Sequence, residues 1–253
     1  MGAHVGRVAV GLSAVLLVLG CQQQQQQPPP APAPRSAPRT VAELYQRVDE
    51  ALTRPGQVLH LVTTVAAEAG PIGPEGRTET WVDAAHATAR IEVNGGNRGT
   101  RSLLYVDDTR YYKDWDGRRG SEDRDRCYGA GVASVAVLSC APKTDSPISE
   151  RVEQAAYQDR PAVVLERVWK YPNAPTGDWL LTSRTYLDPT TLLPFVAENV
   201  GTAVNGGDRV GYGRIDYGVV EFVPLDSLPA GWFEPRAIGV APVRRPTPGL
   251  RRG

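Results

Sequence analysis

Apolar and polar positions along the chain change period near Pro55. Before it, Val41, Leu44, Tyr45, Val48 and Leu52 recur at helical spacing, and Thr40 with Glu43 fits a capping box, so a helix is expected that stops at Pro55-Gly56. From Gln57 onward the period becomes two, in runs rich in Val, Thr, Tyr and Trp separated by Gly, Pro, Asn and Asp clusters. Strands are expected near 57–68, 77–83, 87–93, 101–107, 109–115, 161–170, 179–187, 194–203 and 209–222. Some have one apolar face, as in Ala89, Ile91 and Val93 against Arg90 and Glu92. Val58–Val62 and Val163–Val168 mix one-sided and two-sided apolar patterns, which fits strands contacting a helix on one face and something else on the other. Asn94-Gly95-Gly96-Asn97 and Asn205-Gly206-Gly207-Asp208 serve as hairpin connections. The expected class is α+β, mostly antiparallel β.

The N-terminus has a different character. Arg7 precedes an apolar run, Val8 to Leu19, that falls short of the roughly 20 residues a spanning helix needs and fits a secretory signal at 1–20. Leu17-Val18-Leu19-Gly20-Cys21 resembles the bacterial lipobox, in which the cysteine is acylated and becomes the new N-terminus. Cys21 is therefore the expected lipid-attachment site, and the mature chain is expected in the cell envelope, outside the cytoplasm and anchored to a membrane. Gln22–Gln27 and the proline-rich residues 28–38 cannot build a core, so 21–39 reads as anchor and stalk. The folded domain is expected at 40–235, followed by a basic tail at 236–253 that carries Arg244, Arg245, Arg251 and Arg252.

Charge narrows the partners. Lys+Arg 28 and Asp+Glu 28 cancel to a formal net charge of +0, which argues against a nucleic-acid binder. With Cys21 acylated, Cys127 and Cys140 remain, and an oxidising compartment is expected to pair them across a loop of about 14 residues. The enclosed Tyr128–Ser139 carries no charge and reads as a buried helix or strand, or as an apolar flap over a cavity. His60 and His86 lack the partners for a metal site or a triad, and no serine sits on a nucleophile elbow, so neither catalysis, metal nor cofactor is expected. The dense Asp107–Arg126 stretch reads as a self-paired loop, with a cation or partner site as the alternative.

Three stretches together resemble the LolA-like superfamily of bacterial lipoprotein carriers: Glu79-Thr80-Trp81-Val82-Asp83; Arg184 to Pro194, which reads RTYLDPTTLLP; and Leu228 to Pro235, which reads LPAGWFEP. The likeness covers about residues 40–235. It implies an unclosed, strongly curved antiparallel barrel covered by helices, with a cavity for lipid or lipoprotein acyl chains. Leu59, Leu61, Trp81, Ile91 and Trp169 are the candidate ligand-binding residues on apolar character. Anchored lipid handling is the functional expectation. A sensing or interaction lipoprotein that meets an envelope protein partner, without a stable ligand, is the alternative.

Overall fold

The structure is a computed structural model that describes residues 37–69, 76–96, 99–107, 109–123, 131–138, 147–174, 177–204, 207 and 209–242. The expected signal, Cys21, the expected stalk up to residue 36, Cys127, Cys140 and residues 243–253 lie outside the described residues.

The chain opens with α1 (Val41–Leu52). Thr40 Oγ1 accepts from the Glu43 N–H at 3.1 Å, and the Glu43 carboxylate accepts from the Arg39 N–H at 2.9 Å. Together they satisfy two donors at the start of the helix. Leu44, Tyr45, Val48 and Leu52 form its buried stripe. Gly56, at φ 71, then turns the chain into the sheet in a left-handed conformation that costs glycine little.

The strands are β1 (Gln57–Ala69), β2 (Gly76–Asp83), β3 (Thr88–Asn94), β4 (Thr100–Val106), β5 (Thr109–Lys113) and β6 (Arg119–Asp123), then, after the short helix α2 (Val132–Leu138), β7 (Ser149–Tyr157), β8 (Arg160–Ala174), β9 (Gly177–Leu187), β10 (Pro194–Ala203) and β11 (Arg209–Pro224). They form one 11-stranded antiparallel sheet in the order β6-β5-β4-β3-β2-β1-β11-β10-β9-β8-β7. β6 and β7 are its unpaired edges, so the sheet does not close.

One hydrophobic cluster joins α1 and α2 to inward residues of strands from β4 to β8, among them Tyr105, Val82, Leu59, Leu187 and Leu165. Laid flat, those eight neighbouring strands would measure about 34 Å across at roughly 4.8 Å spacing, wider than two helices of about 10 Å can touch. The sheet therefore curls around the helices, which pack on part of its concave side. This open half-barrel agrees with the LolA-like arrangement implied by the sequence resemblance.

The convex side is packed as well. Leu104 and Tyr111 cluster with Ile238 and Val240, so the packed chain runs past the boundary expected at Pro235. Ala162, Val164, Tyr186 and Val196 form a second convex cluster. The apolar runs in β1 and β8 thus serve two faces: Val163 and Leu165 point to the helices while Ala162 and Val164 point away.

The structure also corrects or sharpens the expected elements. β6 and β7 were absent from the expected strands because both are edge strands, where polar and charged residues replace alternation. Within Tyr128–Ser139 the structure places the buried helix α2, the first of the alternatives expected there, and because all seven of its residues are buried it shows no amphipathic period. The strand expected to start at residue 87 starts at Thr88, because Ala84–His86 make a 3-10 turn capped by Asp83 and Ala87 adopts φ 51.

On the convex side Glu166 bridges Arg151 at 2.8 Å and Arg184 at 2.6 Å. Burial raises its pKa, but the two guanidiniums outweigh it and hold the carboxyl below the usual value. A carboxyl depressed by folding contributes stability above its unfolded pKa, and that contribution is lost as pH falls through the folded value. Glu166→Gln is expected to flatten the acid limb of a stability-against-pH curve below about pH 4.3. An unchanged limb in thermal melts would show that the bridge carries no linkage.

Candidate functional site

Strand register assigns each side chain to a face. Leu59 pairs with Val82, Leu61 with Thr80, Thr80 with Ile91 and Ile91 with Leu103, so these residues share the concave face. Leu59 and Leu61, at 0% and 2% exposure, are sealed in the cluster beneath the helices. Ile91 and Leu103 are half-buried at its margin. In β8, Trp169 shares the face of Val163, Leu165 and Arg167 by alternation, and it is also half-buried. Val220, opposite Leu61, remains 36% exposed, which leaves apolar surface open on the concave side.

Trp81 departs from this set. It pairs with Arg90 and His60 on the convex face, stacks on the His60 ring at 5.1 Å and meets Trp232 edge-on at 5.1 Å. The structure therefore brings Leu59, Leu61 and Ile91 together, adds Trp169 to the same face, and separates Trp81 from all four. The cause is period two: in the expected strand 77–83, odd and even positions face opposite sides, and apolar character alone does not say which side is concave.

Polar residues hold the helices down. Arg167 is buried against Glu150 at 3.0 Å, with side chains 4% and 8% exposed. It donates to the Leu138 carbonyl at the end of α2 at 2.6 Å, and to the Tyr45 hydroxyl of α1. Burial pushes the Tyr45 phenol above its ordinary pKa, and the Arg167 charge opposes this. Burial likewise pushes Tyr217 up to about 12. At the other end of α2, the Asp49 carboxylate of α1 accepts from the Gly131 N–H at 2.6 Å, the Ser134 N–H at 2.8 Å and the Ser134 hydroxyl at 2.9 Å. A β-carbon on Gly131 would lie 2.8 Å from Asp49 Cγ, so only glycine admits this approach.

Arg167, Glu150 and Asp49 were not singled out in the sequence. Arg167 did carry a signal, as a charge within the apolar run from Val163 to Trp169 in a strand with neighbours on both sides. Such a residue needs a buried partner. Asp49 had none, because an acid on a helix surface is ordinary.

The concave face offers apolar surface at Ile91, Leu103, Trp169 and Val220. Among the described residues no group of three His, Cys, Asp or Glu is placed to hold a metal ion. His60 lies between Glu221, at 3.1 Å, and Glu79, at 3.5 Å, on the convex face. The charged β5–β6 hairpin pairs internally through Arg110–Glu122 and Arg118–Asp116, and Arg101 of β4 reaches Asp114 at 3.0 Å. Among the described residues no helix is long and apolar enough to cross a membrane.

No protein family and no curated protein matches the chain in sequence. Solved structures resemble it in shape. An uncharacterized conserved protein from Thermus thermophilus aligns with 11% identity over 72% of this chain and 87% of its own, at TM-score 0.41. A LolA superfamily protein from Nitrosomonas europaea aligns with 12% identity over 77% of this chain and 97% of its own, at TM-score 0.36. The Mycobacterium tuberculosis lipoprotein LppX aligns with 10% identity over 69% and 91%, at TM-score 0.29.

Proposed function

We propose that this chain is an extracytoplasmic lipoprotein, anchored through Cys21, that binds a lipid or another hydrophobic ligand on the concave face of its half-barrel. The observation that carries the reading is a sheet with apolar residues on its concave side, covered in part by a two-turn helix that is apolar but for Ser134 and in part left open at Val220. An apolar helix that small is a poor structural element by itself and a good cover for apolar surface. Acyl chains match such a surface, since burial is worth about 0.8 kcal/mol per CH₂ and asks for no direction. The unbroken burial of Leu59 and Leu61 supports the alternative, an interaction or sensing lipoprotein with a filled core.

The test is native mass spectrometry of the whole chain purified from its own membrane, with organic extraction of what accompanies it. A stoichiometric lipid is expected. Ile91→Asp, which puts a charge at the margin of the concave face, is expected to lower its amount at least tenfold, the effect of roughly 1.4 kcal/mol or more in affinity. Trp81→Phe, on the other face, is expected to leave it unchanged. A ligand-free chain, or equal loss from both variants, would move the assignment to protein interaction.

A further inference from the structure

A cavity of about 660 Å³ lies between Asp83–Thr88, at the β2–β3 connection, and the segment Leu225–Glu234 that follows β11. Leu228, Trp232 and Phe233 supply its apolar wall. Trp232 is held in place: the Arg90 guanidinium lies 3.8 Å over its ring, and Arg90 Nη1 donates to its carbonyl at 3.1 Å.

The carboxylates that line this cavity outnumber its cations, and the nearest guanidinium, that of Arg90, is taken up by Trp232 and Glu92. Asp83, Asp226 and Glu234 line it, His86 is occupied by Asp83 at 2.7 Å, and neither lysine nor arginine contributes to the lining. Elsewhere in the fold carboxylates meet cations, as in Glu92–Arg90, Glu122–Arg110, Glu166–Arg184 and Asp188–Arg160. Among the described residues Asp226 and Glu234 form no ion pair. An apolar wall beside unpaired acids fits a guanidinium, whose flat face and stem pack on apolar surface while its donors meet carboxylates.

The chain holds such a ligand close by. Residues 243–252 read VRRPTPGLRR, with four arginines and no acid. The described residues end at Pro242, just after Val240, which packs in one cluster with Leu104. Leu104 pairs with Arg90, the residue that holds Trp232. Phe233 of the cavity wall packs against the same cluster as Val240, so the described chain ends close to the cavity. Ten residues reach about 33 Å when extended, and Pro246 and Pro248 favour extension. The N-terminal stalk offers a single arginine, Arg35, between residues 22 and 36.

We propose that the arginine-rich segment 243–252 docks back into the acid-lined cavity formed by Asp83–Thr88 and Leu225–Glu234. Each exposed ion pair is weak, but a short tether holds the tail at about millimolar effective concentration, so intrinsic affinity of that order suffices. Docking withdraws the four arginines from other anionic surfaces, including lipid headgroups. The proposal is independent of what the concave face binds.

The test uses the whole chain in detergent and brief trypsin treatment, followed by intact mass, to read cleavage at Arg244 and Arg251. Asp226→Asn with Glu234→Gln is expected to raise the initial rate about fivefold, the factor for a tail docked about four-fifths of the time. High salt is expected to do the same to the wild type. Asp107→Asn and Asp159→Asn, changes of exposed acids elsewhere, are expected to do nothing. As a measurement that leaves the cavity intact, Arg244→Gln with Arg245→Gln is expected to shift the Trp232 indole N–H resonance. Equal cleavage in the wild type and the cavity variant, an unmoved indole resonance, or equal binding of both proteins to phosphatidylglycerol vesicles would overturn the proposal.

Discussion

Replacing Glu150 by alanine is expected to lower the melting temperature by about 10 °C. Glu150 lies on edge strand β7 and Arg167 on its neighbour β8, where they face the helices across a 3.0 Å contact. The pair is buried, so its attraction largely offsets the cost of taking both charges out of water. Removing only the carboxylate leaves that cost standing. Breaking a buried pair from one side typically destabilises by about 3–5 kcal/mol, and in a domain of this size each kcal/mol moves the midpoint by about 2–4 °C. Arg167→Met breaks the pair from the other side. It leaves the Glu150 carboxylate buried in its turn and also removes the bonds to the Leu138 carbonyl and Tyr45, so it is expected to cost at least as much as Glu150→Ala. A calorimetric scan of both variants separates the roles. If Glu150→Ala melts within 2 °C of the wild type, by the scale of about 2–4 °C per kcal/mol, the pair is solvated in solution.

Much of the sheet is legible in the sequence because its strands obey local rules. The β9–β10 hairpin is a clear case: Asp188 Oδ1 accepts from the Thr190 and Thr191 N–H groups at 3.0 Å each, Leu192 takes φ 55, and the chain returns as β10. Those interactions are set by neighbours in sequence. β6 and β7 are strands for a different reason, namely that β5 and β8 offer them partners, and nothing local announces that. The candidate site divides in the same way. Leu59, Leu61 and Ile91 could be put on one face by counting. Which face is concave depends on where α1 and α2 land, and so Trp81 was grouped with residues it never meets. The C-terminal hook was equally hidden, since Ile238 and Val240 are buried by contact with Leu104 and Tyr111, more than a hundred residues earlier.

Asp49→Ala is expected to release α2 while leaving the sheet intact. A helix of two turns is far below the length that is stable alone, so α2 exists because its apolar residues are covered and its ends are tied. Asp49 supplies the tie at the N-terminal end through three hydrogen bonds from Gly131 and Ser134. Loss of a capping carboxylate costs about 1–2 kcal/mol, and charged hydrogen bonds carry somewhat more. A local loss of roughly 2 kcal/mol corresponds to about a 30-fold rise in the opening equilibrium. In hydrogen exchange, the amides of Val132–Leu138 are therefore expected to lose protection by about that factor, while those in the β1–β11 and β9–β10 pairings keep theirs. Uniform loss across the sheet would mean that α2 and the sheet open only together. Asp49→Asn, which keeps an acceptor oxygen, should fall between the two. The same variant tests the ligand proposal, in which α2 and an acyl chain would compete for one apolar surface. If lipid occupies the concave face beneath α2, weakening the helix raises the amount that co-purifies. If that amount is unchanged while exchange is faster, the ligand sits elsewhere on the concave side, and Val220 and Trp169 become the residues to change next.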